Sequence, residues 1–170
     1  IAHDISELKA AEASARRQAL IDPLTGLANR AGLEQHLGNA IRQQHRQPSA
    51  GFALIYIDLD RFRQIIEGIG VSAGDEILRA VAGRLGTTVK HNDMLARLSA
   101  EIFAVILLAL HDGETIERVT ERIMAALSQP YLVDGSPIQL SASLGITRFP
   151  DDGSDAPSLL RNAELACDKA

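Results

Sequence analysis

Three carboxylates in this chain sit where they could hold a cation. Glu101 lies in a short break, Ser99-Ala100-Glu101, between apolar runs at 94–98 and 102–110. Such runs read as a β-hairpin whose second arm is buried on both faces, and its tip would hold one carboxylate still. Asp58 and Asp60 close a near-continuous apolar run over 52–59, which reads as a central strand covered on both faces. A carboxylate at the carboxyl end of a buried strand, beside an acid on a neighbouring strand, is a common device for holding divalent metal in phosphoryl transfer. Each acid has a plainer reading too. Glu101 could be a solvated turn residue, and Asp58 could cap the helix that follows. Asp75, three residues after Ser72, has capping-box spacing.

The elements that must position these acids follow from periodicity. Residues 1–20 are rich in helix formers, with Asp4 and Glu7 as a capping pair. The thin stripe of Ile5, Leu8, Ala11, Ala15 and Ala19 suits a connecting helix: either half of a parallel coiled coil in a dimer or a solvated linker. Asn29 is placed to cap a helix bearing Leu33, Leu37 and Ile41, ended by a polar loop over 43–51. A short helix over 61–67 follows the first strand, with Arg63 free to point elsewhere. After a Gly-containing turn, Ile77, Leu78, Val81 and Leu85 mark the next helix face. Beyond the hairpin, Ile116, Val119, Ile123 and Leu127 repeat at helical spacing until Pro130. Asp134-Gly135 is a hairpin turn between 131–133 and 138–148, the second arm alternating a core face with a more polar one. A loop over 150–157 leads to a last helix, 158–170, in which Cys167 is a small core residue. The order α, α, β, α, α, β, β, α, β, β, α describes one mixed sheet flanked by helices, an α/β (α+β) fold.

Composition narrows the function classes. With 46% hydrophobic and 23% charged residues in 170, the chain suits one ordinary globular domain. A net charge of −5 argues against a non-specific nucleic-acid or anionic-membrane partner while permitting a local basic pocket. One cysteine excludes an internal disulfide framework and a Cys-based metal site. No apolar run approaches the ~20 residues of a membrane span, and no signal peptide is visible, so the expected location is cytoplasmic. The ends fall inside apparent helices, as in a piece of a longer protein.

Taken together, the motifs resemble a GGDEF domain, the fold of the diguanylate cyclases, over roughly 19–170. Asp22-Pro-Leu-Thr-Gly-Leu-Ala-Asn-Arg30 matches the family's opening motif almost letter for letter. Asp58-Leu-Asp60-Arg-Phe62-Arg63 is similar to its Asp-x-Asp-x-Phe-Lys segment, and Gly70, Gly74, Asp75 and Leu78 match the stretch that follows. Ser143-Leu-Gly145 and Ala163-Glu164 resemble late landmarks. The resemblance implies a linker helix at 1–20 and a GGDEF domain at 21–170. It also implies neighbouring sensor domains, often PAS, and EAL-type domains in the same chain, with a possible homodimer through the first helix. In such enzymes two domains, each holding GTP with Mg²⁺, meet face to face and form cyclic di-GMP and pyrophosphate.

By the same resemblance Asp58, Leu59 and Glu101 are the metal positions, and Phe62, Arg63, Asp75, Ser99 and Ala100 the nucleotide positions. The departures cluster there. The signature reads Ser99-Ala100-Glu101-Ile102-Phe103. Without its glycines, a positive φ at Ser99 or Ala100 would cost ~1 kcal/mol or more. Ile102 replaces an acid with hydrocarbon, at a kind of site where one preorganised interaction is worth about 3–4 kcal/mol. Ile66 stands where the family reads guanine with Asn, and each unpaired buried group costs ~1–3 kcal/mol. Glu67 and Val71 depart from Asp and His. The product-inhibition motif maps onto Lys90 and Asp93, with Lys lacking the planar fork of Arg. The expectation is a degenerate domain without cyclase activity, Mg²⁺ and GTP binding weakly if at all. The alternative is an active cyclase in which Asp58 and Glu101 suffice.

Overall fold

The computed structural model describes residues 2–48, 51–89, 93–108 and 115–170, with side chains from residue 5 onward except 17 and 18. Within these residues the chain runs α1 (Ala2–Gln18), α2 (Arg30–Arg46), β1 (Phe52–Leu59), α3 (Phe62–Ile69), α4 (Val71–Thr88), β2 (Met94–Ser99) and β3 (Ile102–Leu107). It continues through α5 (Ile116–Leu127), β4 (Tyr131–Val133), β5 (Ser136–Ile138), β6 (Ala142–Phe149) and α6 (Ala156–Asp168). The main sheet has the order β2-β3-β1-β6. Its ladders are antiparallel, with an isolated parallel bridge from Ala28 to Ala96 at one edge.

The apolar run of β1 is explained by layers on both sides of the sheet. Ala53, Ile55, Ile57 and Leu59 join one core with α4 and α5. Phe52, Leu54 and Tyr56 alternate into a second core with α2 and α6. Asn29 caps α2, its side chain accepting from Gly32 N–H at 2.9 Å. On β6, Gly145 lies so close to Ala163 O and Cys167 N that no side chain would fit. By contrast α1 is exposed along residues 5–16, Ile5 and Leu8 included.

Several boundaries differ from the sequence reading. Ser99 belongs to β2, leaving Ala100 and Glu101 as the turn, and a bulge between Arg97 and Ser99 absorbs the odd residue. β3 stops at Leu107; residues 109–110 lie outside the described set. The arm expected over 138–148 is two strands, because β4 and β5 form their own sheet and β6 pairs with β1. Its supposed polar face is covered by α6, where Thr147 is buried and donates to Leu159 O at 3.1 Å. α2 continues to Arg46. α6 begins two residues early on an Asp155 cap, which Pro157 tolerates because the first turn needs no N–H there. α4 is entered through Gly70 at φ 93 without a side-chain cap, so the Ser72–Asp75 capping box does not form. The Asp4–Glu7 cap involves a side chain outside the described residues.

Candidate functional site

The carboxyl end of β1, the β2–β3 tip and the start of α3 meet at one edge of the sheet around an open cleft of about 970 Å³. Asp58, Asp60, Glu101, Arg61 and Arg63 line it. Asp58 falls on the α6 side by strand alternation, where burial gives out. Its register partners are Ile102 on β3 and Ser143 on β6. Burial, then the nearby charges of Glu101, Asp60 and Asp168, raise the Asp58 pKa above its ordinary value. Cys167, behind it, donates its thiol to Ser143 O at 3.2 Å. Burial and then Asp58 push that thiol up to about 11, which keeps it protonated and inert at neutral pH.

Backbone and hydroxyl contacts fix this corner. Leu59 N–H donates to Glu101 O at 3.1 Å, tying strand end to hairpin turn. The Leu59 side chain is buried in the core, so only its backbone is available to the cleft. Asp60 accepts from Ser143 Oγ at 2.7 Å and from Ser141 Oγ at 2.8 Å. Its N–H donates to Ser141 O at 2.9 Å. Arg61 then takes a left-handed backbone, φ 56, at the entry to α3. For a bulky residue this is an uncommon conformation, found where surrounding structure enforces it.

A second set of contacts holds the hairpin tip from below. Arg97 donates to Ala100 O through Nε at 3.2 Å and Nη2 at 2.9 Å. Its Nη1 meets Asp22 Oδ1 at 3.1 Å, both side chains being mostly buried. Burial disfavours the Asp22 charge, but bonds from Thr25 and then Arg97 outweigh it and hold the carboxyl below its ordinary range. Arg97 N–H also donates to Ala28 O at 2.8 Å, and Asn29 Nδ2 to Ala19 O at 2.8 Å. The Asp22–Arg30 motif therefore connects the end of α1 to the turn carrying Glu101. Periodicity could not reveal this, since Asp22 and Arg97 are 75 residues apart.

The expected site residues divide. Asp58, Leu59, Phe62, Arg63 and Glu101 border the one cleft, Phe62 being buried beneath it. Ile66 lies half-buried with the first core. A Cβ at Gly74 would be 2.9 Å from its Cγ1, so Ile66 is seated in the α3–α4 crossing. Asp75 follows on α4 and does not border the cleft. Ser99 and Ala100 are exposed at the tip and adopt no positive φ; among the described residues only Arg61 and Asp134 do so without being glycine. The strain expected from the missing glycines is therefore absent, because the bulge lets the turn close with ordinary backbone. Ile102 packs, half-buried, against the second core. Asp93 accepts from Leu108 N–H at 3.3 Å, whereas Lys90 lies outside the described residues. The serine clamp on Asp60, and Asp168 near Asp58, escaped the sequence reading; only tertiary contact reveals them.

Residues 19–170 match the family described as diguanylate cyclase, GGDEF domain. The chain is 33% identical over 166 residues to the cyclic di-GMP phosphodiesterase NbdA of Pseudomonas aeruginosa, covering 95% of this chain and 20% of NbdA. It is 35% identical over 164 residues to the diguanylate cyclase TpbB of the same species, covering 95% of this chain and 37% of TpbB. It thus spans well under half of these relatives. The GGDEF domain of TpbB superposes with a TM-score of 0.82 at 34% identity, over 88% of this chain and 87% of that one. A sensory box/GGDEF family protein from Caulobacter crescentus gives 0.82 at 34% identity, over 89% and 97%.

Proposed function

The chain belongs to the GGDEF family of diguanylate cyclases, and from that premise we propose that it is a regulatory relay in cyclic di-GMP signalling without cyclase turnover. The observation that carries this reading is the pairing of Asp58 with Ile102. A cyclase must neutralise a triphosphate and activate a hydroxyl, which calls for converging acids. Here the position opposite Asp58 on the adjoining strand is hydrocarbon.

The residues present suit one divalent cation better than two. Asp58 is half-buried near Glu101 and Asp60, an excess of negative charge that a cation would relieve. Asp58, Glu101 and the Leu59 backbone would hold Mg²⁺, and Arg63 would face phosphate. Bound Mg²⁺ would neutralise phosphate charge; Ile102 denies a second ion its ligand.

The contacts from Asn29 to Ala19 and from Asp22 through Arg97 to Ala100 support the relay half of the reading. A displacement of the linker, residues 1–20, would reach the tip of the domain, 21–170, through bonded groups. Sensor and EAL-type domains of the same cytoplasmic chain are the expected neighbours, with a second copy paired along α1. No helix among the described residues is long and apolar enough to cross a membrane.

Restoration tests the reading. Ile66→Asn, Ser99→Gly, Ala100→Gly and Ile102→Glu together should bring out GTP-to-cyclic-di-GMP turnover at least a hundredfold above that of the parent. Equal, substantial turnover in both would refute it.

A further inference from the structure

The last carbonyls of a helix have no partner within it, and at the end of α5 a side chain of α4 supplies one. Arg84 Nη1 donates to Ala126 O at 3.0 Å and to Gln129 O at 2.6 Å, and its Nη2 to Pro130 O at 2.7 Å. The guanidinium also lies over the Tyr131 ring, Cζ 3.7 Å from the centroid. Tyr131 is buried, its hydroxyl donating to Leu127 O at 2.9 Å. Across the β4–β5 ladder Tyr131 pairs with Ile138. The next residue, Gln139, donates through Nε2 to Ser128 O at 2.9 Å, and Leu140 enters the first core. Ser141 then holds Asp60, its hydroxyl donating to the carboxylate at 2.8 Å and its carbonyl accepting the Asp60 N–H at 2.9 Å. From Ile138 to Ser141 the chain can reach at most ~11 Å. The arginine contacts and the Asp60 clamp are therefore the two ends of one short strap.

We propose that Arg84 is a positioning residue for Asp60: it fixes the end of α5 and Tyr131, these set the strap over 139–141, and the strap sets the carboxylate at the edge of the cleft. The place calls for a planar fork, since one side chain must bond three carbonyls and cover a ring, which a lysine ammonium cannot do. Coupling between distant groups is carried by contiguous bonded and packed elements, and here every link is a bond, a ladder pair or a covalent neighbour. The tie is separate from Arg97, which holds the hairpin turn. No link in it is a ligand, so it operates whatever the cleft accommodates.

Amide exchange followed by NMR, residue by residue, is the test. The Asp60 N–H, bonded to Ser141 O, is the probe; the Ile55 N–H, in the middle of β1 with strands on both sides, reports global opening. Arg84→Ala should speed exchange at Asp60 by about tenfold or more beyond any change at Ile55. Arg84→Lys should recover less than half of the lost protection. Gln139→Ala, which loosens the strap nearer the clamp with Arg84 intact, should act in the same direction. The double variant should fall short of the product of the two single effects, as expected of groups acting on one element. If Arg84→Ala does not fold, Arg84→Lys and Gln139→Ala carry the same comparison. Faster exchange at the Ser128 N–H, which closes α5, with Asp60 unchanged would overturn the proposal, because Leu140 would then anchor the strap by itself. A rise at Asp60 that only matches the rise at Ile55 would overturn it too, as would two effects that multiply in full.

Discussion

Asp58 on β1 and Ile102 on β3 are register partners in an antiparallel ladder, so the carboxylate has a hydrocarbon neighbour on the adjoining strand. Opposed residues in such a ladder lie about 4.5–5.5 Å apart at Cβ and share a face of the sheet. Glu101 next in chain cannot occupy the same place, since its backbone is held by Leu59 in the turn. The hydrocarbon therefore stands within the acid cluster.

Ile102→Glu places a second carboxylate opposite Asp58. In metal-free buffer the variant should lose about 1–2 kcal/mol from like-charge repulsion and lost packing, lowering Tm by several degrees. Millimolar Mg²⁺ should raise the Tm of the variant more than that of the parent. A variant Tm insensitive to Mg²⁺ would show that the new acid does not face Asp58.

Asp58 also predicts a pH dependence. Its folded pKa is raised, by burial first and then by Glu101 and the other acids. The proton thus binds the folded state more tightly, and stability falls as pH rises through that raised value. Asp58→Asn should be more stable than the parent at pH 7 without metal, the difference closing as pH falls to 3.8, the ordinary value. Urea unfolding at several pH values measures it.

Asp22 has the opposite sign. Its folded pKa is depressed, so its contribution is present above 3.8 and lost as pH falls through the lower folded value. Asp22→Asn should remove that acid-range loss. Arg97→Ala, which breaks the bond to Asp22 and both bonds to Ala100, should cost about 2–3 kcal/mol. It should also speed amide exchange at 100–102, and Lys, lacking the fork, should restore less than half.

Gly145 tests the packing of β6 on α6. A methyl group there would run into Ala163 O and Cys167 N, both main-chain atoms. Gly145→Ala should destabilise by about 3 kcal/mol, whereas Gly83→Ala, with open space around it, should be neutral or slightly stabilising. Chemical denaturation of the pair checks both.

Much of the fold was legible because its signals are local. β1 spans the apolar run over 52–59 without error, since a strand buried on both faces leaves continuous hydrocarbon in the chain. Asn29 before Leu33 and Leu37 announced α2 by the same kind of short-range chemistry. The readings that failed depended on partners distant in sequence. The Asp134-Gly135 turn announced the pairing of β4 with β5, but nothing near 138–148 says that the arm will break and send β6 to pair with β1, or that α6 will cover the face left polar. Ser72 and Asp75 have capping spacing, but Gly70 turns the chain two residues earlier, so α4 has already begun. At the site, Asp58 and Glu101 could be named from the ends of apolar runs. The Asp60 clamp needed Ser141 and Ser143 to be brought from 81 and 83 residues away.

Incubation of the unaltered chain with GTP and Mg²⁺, followed by chromatography of the products, puts the loss of an acid beside Asp58 to its most direct trial. Expected is GTP recovered intact, with cyclic di-GMP no higher than in a protein-free control. Cyclic di-GMP accumulating in proportion to protein and time would contradict it.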